Sequence, residues 1–252
     1  MTFEEILLNV NVECKDDGVR FTETERLEAI ERLLEDSAFE LIHRSGLHLL
    51  YAHKEHDGLG ETKTLISSHV DCVYSKCWTK PWNEDGWIGT FDNSATNTAV
   101  VMAMRENSLP KDTLVAFTGD EEKDSRGAIE VMKLLGGMAV VPERVLVTDV
   151  TNVGFDDEAD FSIENDRGID IFTGYNIGSA VMESGYACAF RHFAEPDESW
   201  DYSDGIEGEF DPTPCLSLCL PVGGELHSDD GVRLRRSSVM PYVEMLCAIA
   251  KI

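Results

Sequence analysis

Basic residues are scarce in this chain: 21 Lys and Arg stand against 48 Asp and Glu over 252 residues, for a net charge of −27. A field of that sign repels phosphate backbones and acidic lipid surfaces, so neither nucleic acid nor a membrane is an expected partner. No apolar run reaches the roughly 18 residues that a membrane span requires. Met1 to Glu5 carry acids where a secretory signal would carry a basic patch, which predicts a cytoplasmic protein. The seven cysteines form an odd set without the paired spacing of a zinc ribbon, so reduced thiols are expected rather than a disulfide scaffold. Internal repeats and low-complexity tracts are missing too. An apolar content of 42% is ordinary for a globular chain of this length, and one domain spanning residues 1–252 is expected.

What is present is an alternation of two periodicities. From Thr22, where Thr22 and Glu25 can form a capping box, Leu27, Ile30, Leu33 and Leu34 recur at helical spacing in a charged stretch. Short apolar runs at 38–43 and 47–52, separated by Ser45-Gly46, predict a strand pair. Strands at 64–68, 113–118 and 144–148 then alternate with helices at 93–105 and 125–135. That order predicts an α/β fold with a mixed, mainly parallel sheet flanked by helices. The acidic, Gly-rich stretch 151–214 has weaker periodicity, with strands expected at 169–172 and 186–192. A buried strand at 215–220 and a helix at 238–249 close the chain.

Five short segments carry the chemistry, each at or just beyond a predicted strand end: His69-Val70-Asp71, Asp92-Asn93, Gly119-Asp120-Glu121-Glu122, Asp149, and Gly223-Gly224-Glu225-Leu226-His227. Open α/β sheets bind ligands beyond the carboxyl ends of their strands, so loops distant in sequence can meet at one crevice. Two imidazoles and three carboxylates suit a pair of zinc-type ions with one shared carboxylate. Asp71, two residues from His69 on an extended segment, lies on the same side and can accept the proton of the other ring nitrogen. Glu121, beside a ligand, could take a proton from the attacking water and pass it to the leaving amine.

The ordered set His-Val-Asp, Phe-Asp-Asn, Gly-Asp-Glu-Glu, Thr-Asp-Val and Leu-His-Ser, covering roughly His69 to His227, resembles the co-catalytic zinc exopeptidase superfamily of bacterial aminopeptidases, aminoacylases and glutamate-releasing carboxypeptidases. The resemblance implies that His69, Asp92 and Asp149 hold one metal and that Asp92, Glu122 and His227 hold the other. It also implies Glu121 as general base, Asp71 as the partner of His69, and a cis peptide between Asp92 and Asn93. The chain departs from the pattern after Asp92, which is followed by Asn-Ser-Ala-Thr, and at Asp120 in front of the acidic pair. The short interval from His69 to Asp92 leaves no room for the extra domain of self-compartmentalising aminopeptidases. Nor does the span from Asp149 to His227 suit a dimerisation domain, so the compact aminopeptidase branch is expected.

The expected activity is release of an N-terminal amino acid from a peptide, with two divalent metals, zinc foremost, and Glu121 and Asp71 as the catalytic candidates. Removal of the acyl group from an acylated amino acid, or carboxypeptidase action, is the first alternative. A one-metal transferase that cyclises N-terminal glutamine and a non-catalytic metal-binding scaffold are the others. Trp78, Trp82 and Trp87 could wall the crevice or stiffen a hairpin, and Arg191 and His192 could touch substrate.

Overall fold

The computed structural model describes residues 1–13, 15–16, 21–22, 24–194 and 197–252. The N-terminal third begins with helix α1 (Phe3–Val10), capped reciprocally by Thr2 and Glu5, then strands β1 (Lys15–Asp16) and β2 (Phe21–Thr22), which pair only with each other among the described residues. Helix α2 (Thr24–Leu34) follows as the amphipathic pattern requires, but the side chain of Thr22, and with it the expected capping box, lies outside the described residues. Next come β3 (Phe39–Arg44), β4 (His48–His53), β5 (Thr64–His69), β6 (Thr79–Trp82), β7 (Gly86–Gly89) and helix α3 (Ser94–Arg105). The middle of the chain supplies β8 (Thr113–Thr118), α4 (Arg126–Gly137), β9 (Arg144–Thr151), β10 (Phe161–Arg167), α5 (Ile171–Ser184), β11 (Cys188–Arg191) and α6 (Glu198–Asp204). It ends with β12 (Cys215–Gly223), β13 (Val232–Arg235) and α7 (Arg236–Ala250).

Eleven of these strands form one mixed α/β sheet. Its centre is parallel, in the order β8, β5, β9, β12, while the flanks β3–β4 and β13–β7–β6 run antiparallel. Strand β12 carries β9 along one edge and both β10 and β13 along the other. Successive side chains of a strand point to opposite faces, and here both faces are covered, which is why the central strands read as unbroken apolar runs. Ile66, Val115, Phe117 and Leu146 pack with α1, α2, α3 and α7 on one side. Leu65, Leu114, Ala116, Val145 and Val147 pack on the other with Ala128, Val131 and Leu135 of α4 and Tyr202 of α6.

The stretch 151–214 differs most from expectation. The strand predicted at 169–172 is instead the start of α5, because Asp170 accepts hydrogen bonds from the backbone amides of Phe172 and Thr173 and so caps a helix. The strand that the sheet uses here is β10, eight residues earlier in the sequence. The segment from 186 to 192 does hold a strand, β11. Between His69 and Asp92 the chain forms the β6–β7 hairpin, paired onto β13, and no additional domain. Trp87 is buried against Phe3 and Trp78 hydrogen-bonds the Asp229 carbonyl, so these indoles brace the hairpin and do not line the crevice described below.

Candidate metal centre

The carboxyl ends of β5, β8, β9 and β12 open on the same side, and the loops that leave them meet over the sheet. His69 is the last residue of β5 and pairs in register with Thr118, whose successors carry Glu121 and Glu122. Its backbone carbonyl accepts a hydrogen bond from Asn97 of α3 at 2.8 Å, and Asn97 in turn accepts from Ser68. Asp149 lies within β9 and is held by the Val150 amide at 2.7 Å. Asp92 precedes α3, and its peptide bond to Asn93 is cis. His227, with a φ of 63°, sits at the rim with about half its side chain exposed. Gly127 lets α4 start against this loop, since a Cβ there would stand 2.4 Å from the Gly119 nitrogen.

Two triads of donor atoms result. His69 Nε2 is 3.3 Å from Asp92 Oδ1 and 3.2 Å from Asp149 Oδ1. His227 Nε2 is 3.1 Å from Asp92 Oδ2 and 3.4 Å from Glu122 Oε2. Asp92 therefore belongs to both, through a different oxygen in each. A tetrahedral zinc ion with ligand bonds of roughly 2.0–2.1 Å spaces its ligands about 3.3–3.4 Å apart, the separation seen along these edges. Asp92 Oδ1 and Glu122 Oε1 are also buried without a hydrogen-bond partner among the described residues, a costly state that a cation would relieve. The donor set thus fits a metal ion, and ligand atoms of His69, Asp92 and Glu122 all lie within 4.8 Å of one another.

Electrostatics point the same way. Burial, with Asp92 close by, pushes the Glu122 carboxyl up to about 8, and burial and the same neighbour raise Asp149 to about 6. Glu121 is raised well above the usual carboxylate range by burial and by Asp149, Glu122 and Asp71, against the opposing pull of His69. Burial opposes the charged form of His69, but Glu121 and Asp149 outweigh it and hold the ring well above its ordinary range. His227 is lifted to about 9, chiefly by its hydrogen bond to Asp92. So many carboxylates, sharing protons with two imidazoles, make a cluster short of positive charge.

Asp71 is fully buried and has two tasks. Its Oδ1 is 3.4 Å from His69 Nδ1, and its two oxygens accept the backbone amides of Glu121 and Glu122 at 3.0 and 2.9 Å. One carboxylate thus holds the acidic loop and lies beside the histidine ring. Asp120, the departure noted in the sequence, is buried and turned toward Arg126 at 3.4 Å; it is not among the residues lining the cleft. Cys72 is likewise off the cleft, its sulfur 3.8 Å from that of Cys77.

The cleft above the triads has a volume of about 360 Å³, enough for a ligand the size of a single amino acid. Glu164, Asp197, Lys123 and Arg191 complete its polar lining. Of the two substrate-contact candidates on β11 and the residue after it, Arg191 reaches the cleft, whereas His192 pairs with Asp166 at the surface.

No protein-family model matches the chain, and no curated protein matches it by sequence. Solved structures do match. A TET aminopeptidase from a marine sediment archaeon of the Thaumarchaeota superposes with a TM-score of 0.77 at 12% identity, over 99% of this chain and 96% of that one. The dodecameric PhTET1-12s gives 0.73 at 14% identity, over 99% of both chains. The chain has the fold of these two proteins. A zinc aminopeptidase from Bacillus subtilis is also similar, at 12% identity and a TM-score of 0.53, with 80% of this chain and 48% of that one covered.

Two buried residues at the site escaped the sequence reading. Arg26 of α2 is wholly buried and donates to the carbonyls of Val12, Val70 and Asp92, pinning the His69 and Asp92 loops together. Glu198 of α6 lies under the strand ends, accepting from Ser67 at 2.6 Å and Thr118 at 2.5 Å. Burial raises its carboxyl to about 7, against the pull of those two hydroxyls. The native group keeps its proton up to about pH 7, while the unfolded chain releases it near 4.5. Its contribution is therefore complete below pH 4.5 and declines as pH rises to 7. Glu198→Gln, neutral at every pH, should melt higher than the wild type above pH 7, by on the order of 3 kcal/mol of stability, and should converge with it below pH 4.5. Equal pH dependence in thermal melts of the two proteins would contradict the assignment.

Proposed function

We propose that this chain is a dinuclear metallohydrolase that cleaves a terminal amide bond, releasing an N-terminal amino acid from a peptide. The observation that carries the reading is the pair of donor triads sharing Asp92. His69, Asp92 and Asp149 would hold one ion and Asp92, Glu122 and His227 the other. When bound, the ions would supply a polarised water and a counter-charge for the oxyanion that develops on the substrate carbonyl. The rest is the work of the chain's own side chains. Glu121, 15% exposed and its Oε2 4.0 Å from His69 Nδ1, takes the proton of the attacking water and delivers it to the leaving amine. Asp71 fixes the loop from which Glu121 projects, and keeps the His69 proton on Nδ1 so that Nε2 remains a ligand. Glu164 and Asp197 give the cleft acceptors for a substrate's free amine.

Arg191 and Lys123 in the same lining favour a second reading, in which a substrate carboxylate is anchored and an N-acyl amino acid or a C-terminal residue is released. Aminoacyl anilides, N-acetyl amino acids and carboxyl-terminal dipeptides, tested on protein of measured metal content before and after chelation, separate these outcomes. Two ions per chain with anilide turnover that chelation abolishes is the expected result. Turnover unaffected by complete removal of metal rejects the proposal, and preference for acylated amino acids selects the second reading.

A further inference from the structure

Eleven large apolar side chains stand exposed among the described residues, and six of them lie between positions 171 and 193. Ile171, Phe172, Tyr175 and Met182 on α5, Phe190 on β11 and Phe193 just beyond it are 64 to 83% exposed. Tyr175, Gly178 and Met182 share with Phe190 and Cys188 the lining of a groove of about 730 Å³ between the helix and the strand. β11 pairs with β10 along one side, and no second strand pairs with it among the described residues. An open edge bordered by apolar side chains is a template for another strand.

From these observations we infer that the α5–β11 face receives a second copy of this chain, in a two-fold dimer. Three features select that occupant. The six side chains expose on the order of 800 Å² of apolar surface, about what each partner contributes to a stable interface. Charge is the second. Copies with a net charge of −27 repel each other and can meet only where acids are sparse; of the fourteen residues of α5, Glu183 alone is charged. A basic partner would be drawn to the acidic faces, and an acidic lipid surface would be repelled. Third, a two-fold axis beside β11 sets the same edge and helix against themselves, so the face is its own complement, and the small residues Gly178 and Ser179 let the two helices approach. Arg191 at the end of the same strand and Ala194 beyond it line the cleft, so the second copy borders its mouth.

The test is the mass of the wild-type protein by sedimentation velocity from 1 to 100 µM, alongside Met182→Asp and Phe190→Glu. Wild type should sediment as a dimer of 28.0 kDa chains, and more tightly in 0.5 M than in 0.05 M salt, because salt screens the mutual repulsion while the contact is apolar. Each substitution, present twice in a two-fold interface, should weaken association by about 100-fold or more, with circular dichroism spectra unchanged. Met138→Asp, at an exposed position outside this face, should stay dimeric. A wild type that is monomeric throughout overturns the inference even if the variants fail to fold. So does a dimer that both well-folded variants retain, one that dissociates as salt rises, or a monomer that floats with phosphatidylcholine vesicles.

Discussion

Glu121→Gln should leave the protein folded and loaded with metal yet slow hydrolysis by about 10²–10⁴-fold, the range a positioned general base contributes. The amide occupies the same volume and keeps the backbone bond from Glu121 to Asp71, which uses the main-chain nitrogen and not the side chain. What disappears is the ability to accept and return a proton. Because Glu121 belongs to neither donor triad, metal content should match the wild type. The loss should fall on kcat with KM little changed, since the proton moves only as the bond breaks. Anilide kinetics with metal analysis on the same sample check this, and unaltered kcat would remove Glu121 from its assigned task.

A larger effect is expected at Asp92, where Asp92→Asn should abolish turnover beyond about 10⁴-fold and strip both ions together. Any other ligand substitution touches one triad, whereas Asp92 offers Oδ1 to His69's group and Oδ2 to His227's. Asp149→Asn or His227→Ala should accordingly retain close to one ion per chain when Asp92→Asn retains none. Stability supplies a control for misfolding. Without metal, and despite burial, hydrogen bonds to His227 and His69 hold the Asp92 carboxylate charged and well below the usual range, so the metal-free variant should melt lower than metal-free wild type while still unfolding cooperatively. Adding zinc or cobalt should raise the melting temperature of wild type and not that of the variant, because only a ligand bound by the native state stabilises it. Two ions retained by Asp92→Asn would dismiss the shared-ligand arrangement.

Much of this centre was legible because each residue stands at a change of pattern. His69 ends an apolar run, Glu121 and Glu122 follow one, and Asp92 opens a helix. Polar residues at the ends of parallel strands have a destination, the crevice, whatever the path between them. Arg26 had no such marker. Beside Leu27 and Ile30 it reads as the charged flank of an amphipathic helix, and it is buried only because its guanidinium finds carbonyls from three separate segments. Glu198 was hidden within an acidic stretch that reads as solvated loop, and its partners Ser67 and Thr118 are remote in sequence. Asp71 was legible as a partner of His69, but its grip on two amides fifty residues away depends on the pairing of β5 with β8. At α5, Ile169 to Phe172 has strand composition, and the cap made by Asp170 prevails over it.

The parallel register of β8, β5, β9 and β12 has a consequence for how ions would reach the proposed centre. No donor triad is local: each draws on side chains brought together by strands whose sequence neighbours lie elsewhere, so a nascent or partly assembled chain presents no coordination sphere to the surrounding fluid. Capture of cations by such a centre would therefore be a late event that reports completion of the entire central sheet, and once seated they would act as rivets across four strands that no covalent bond joins side by side.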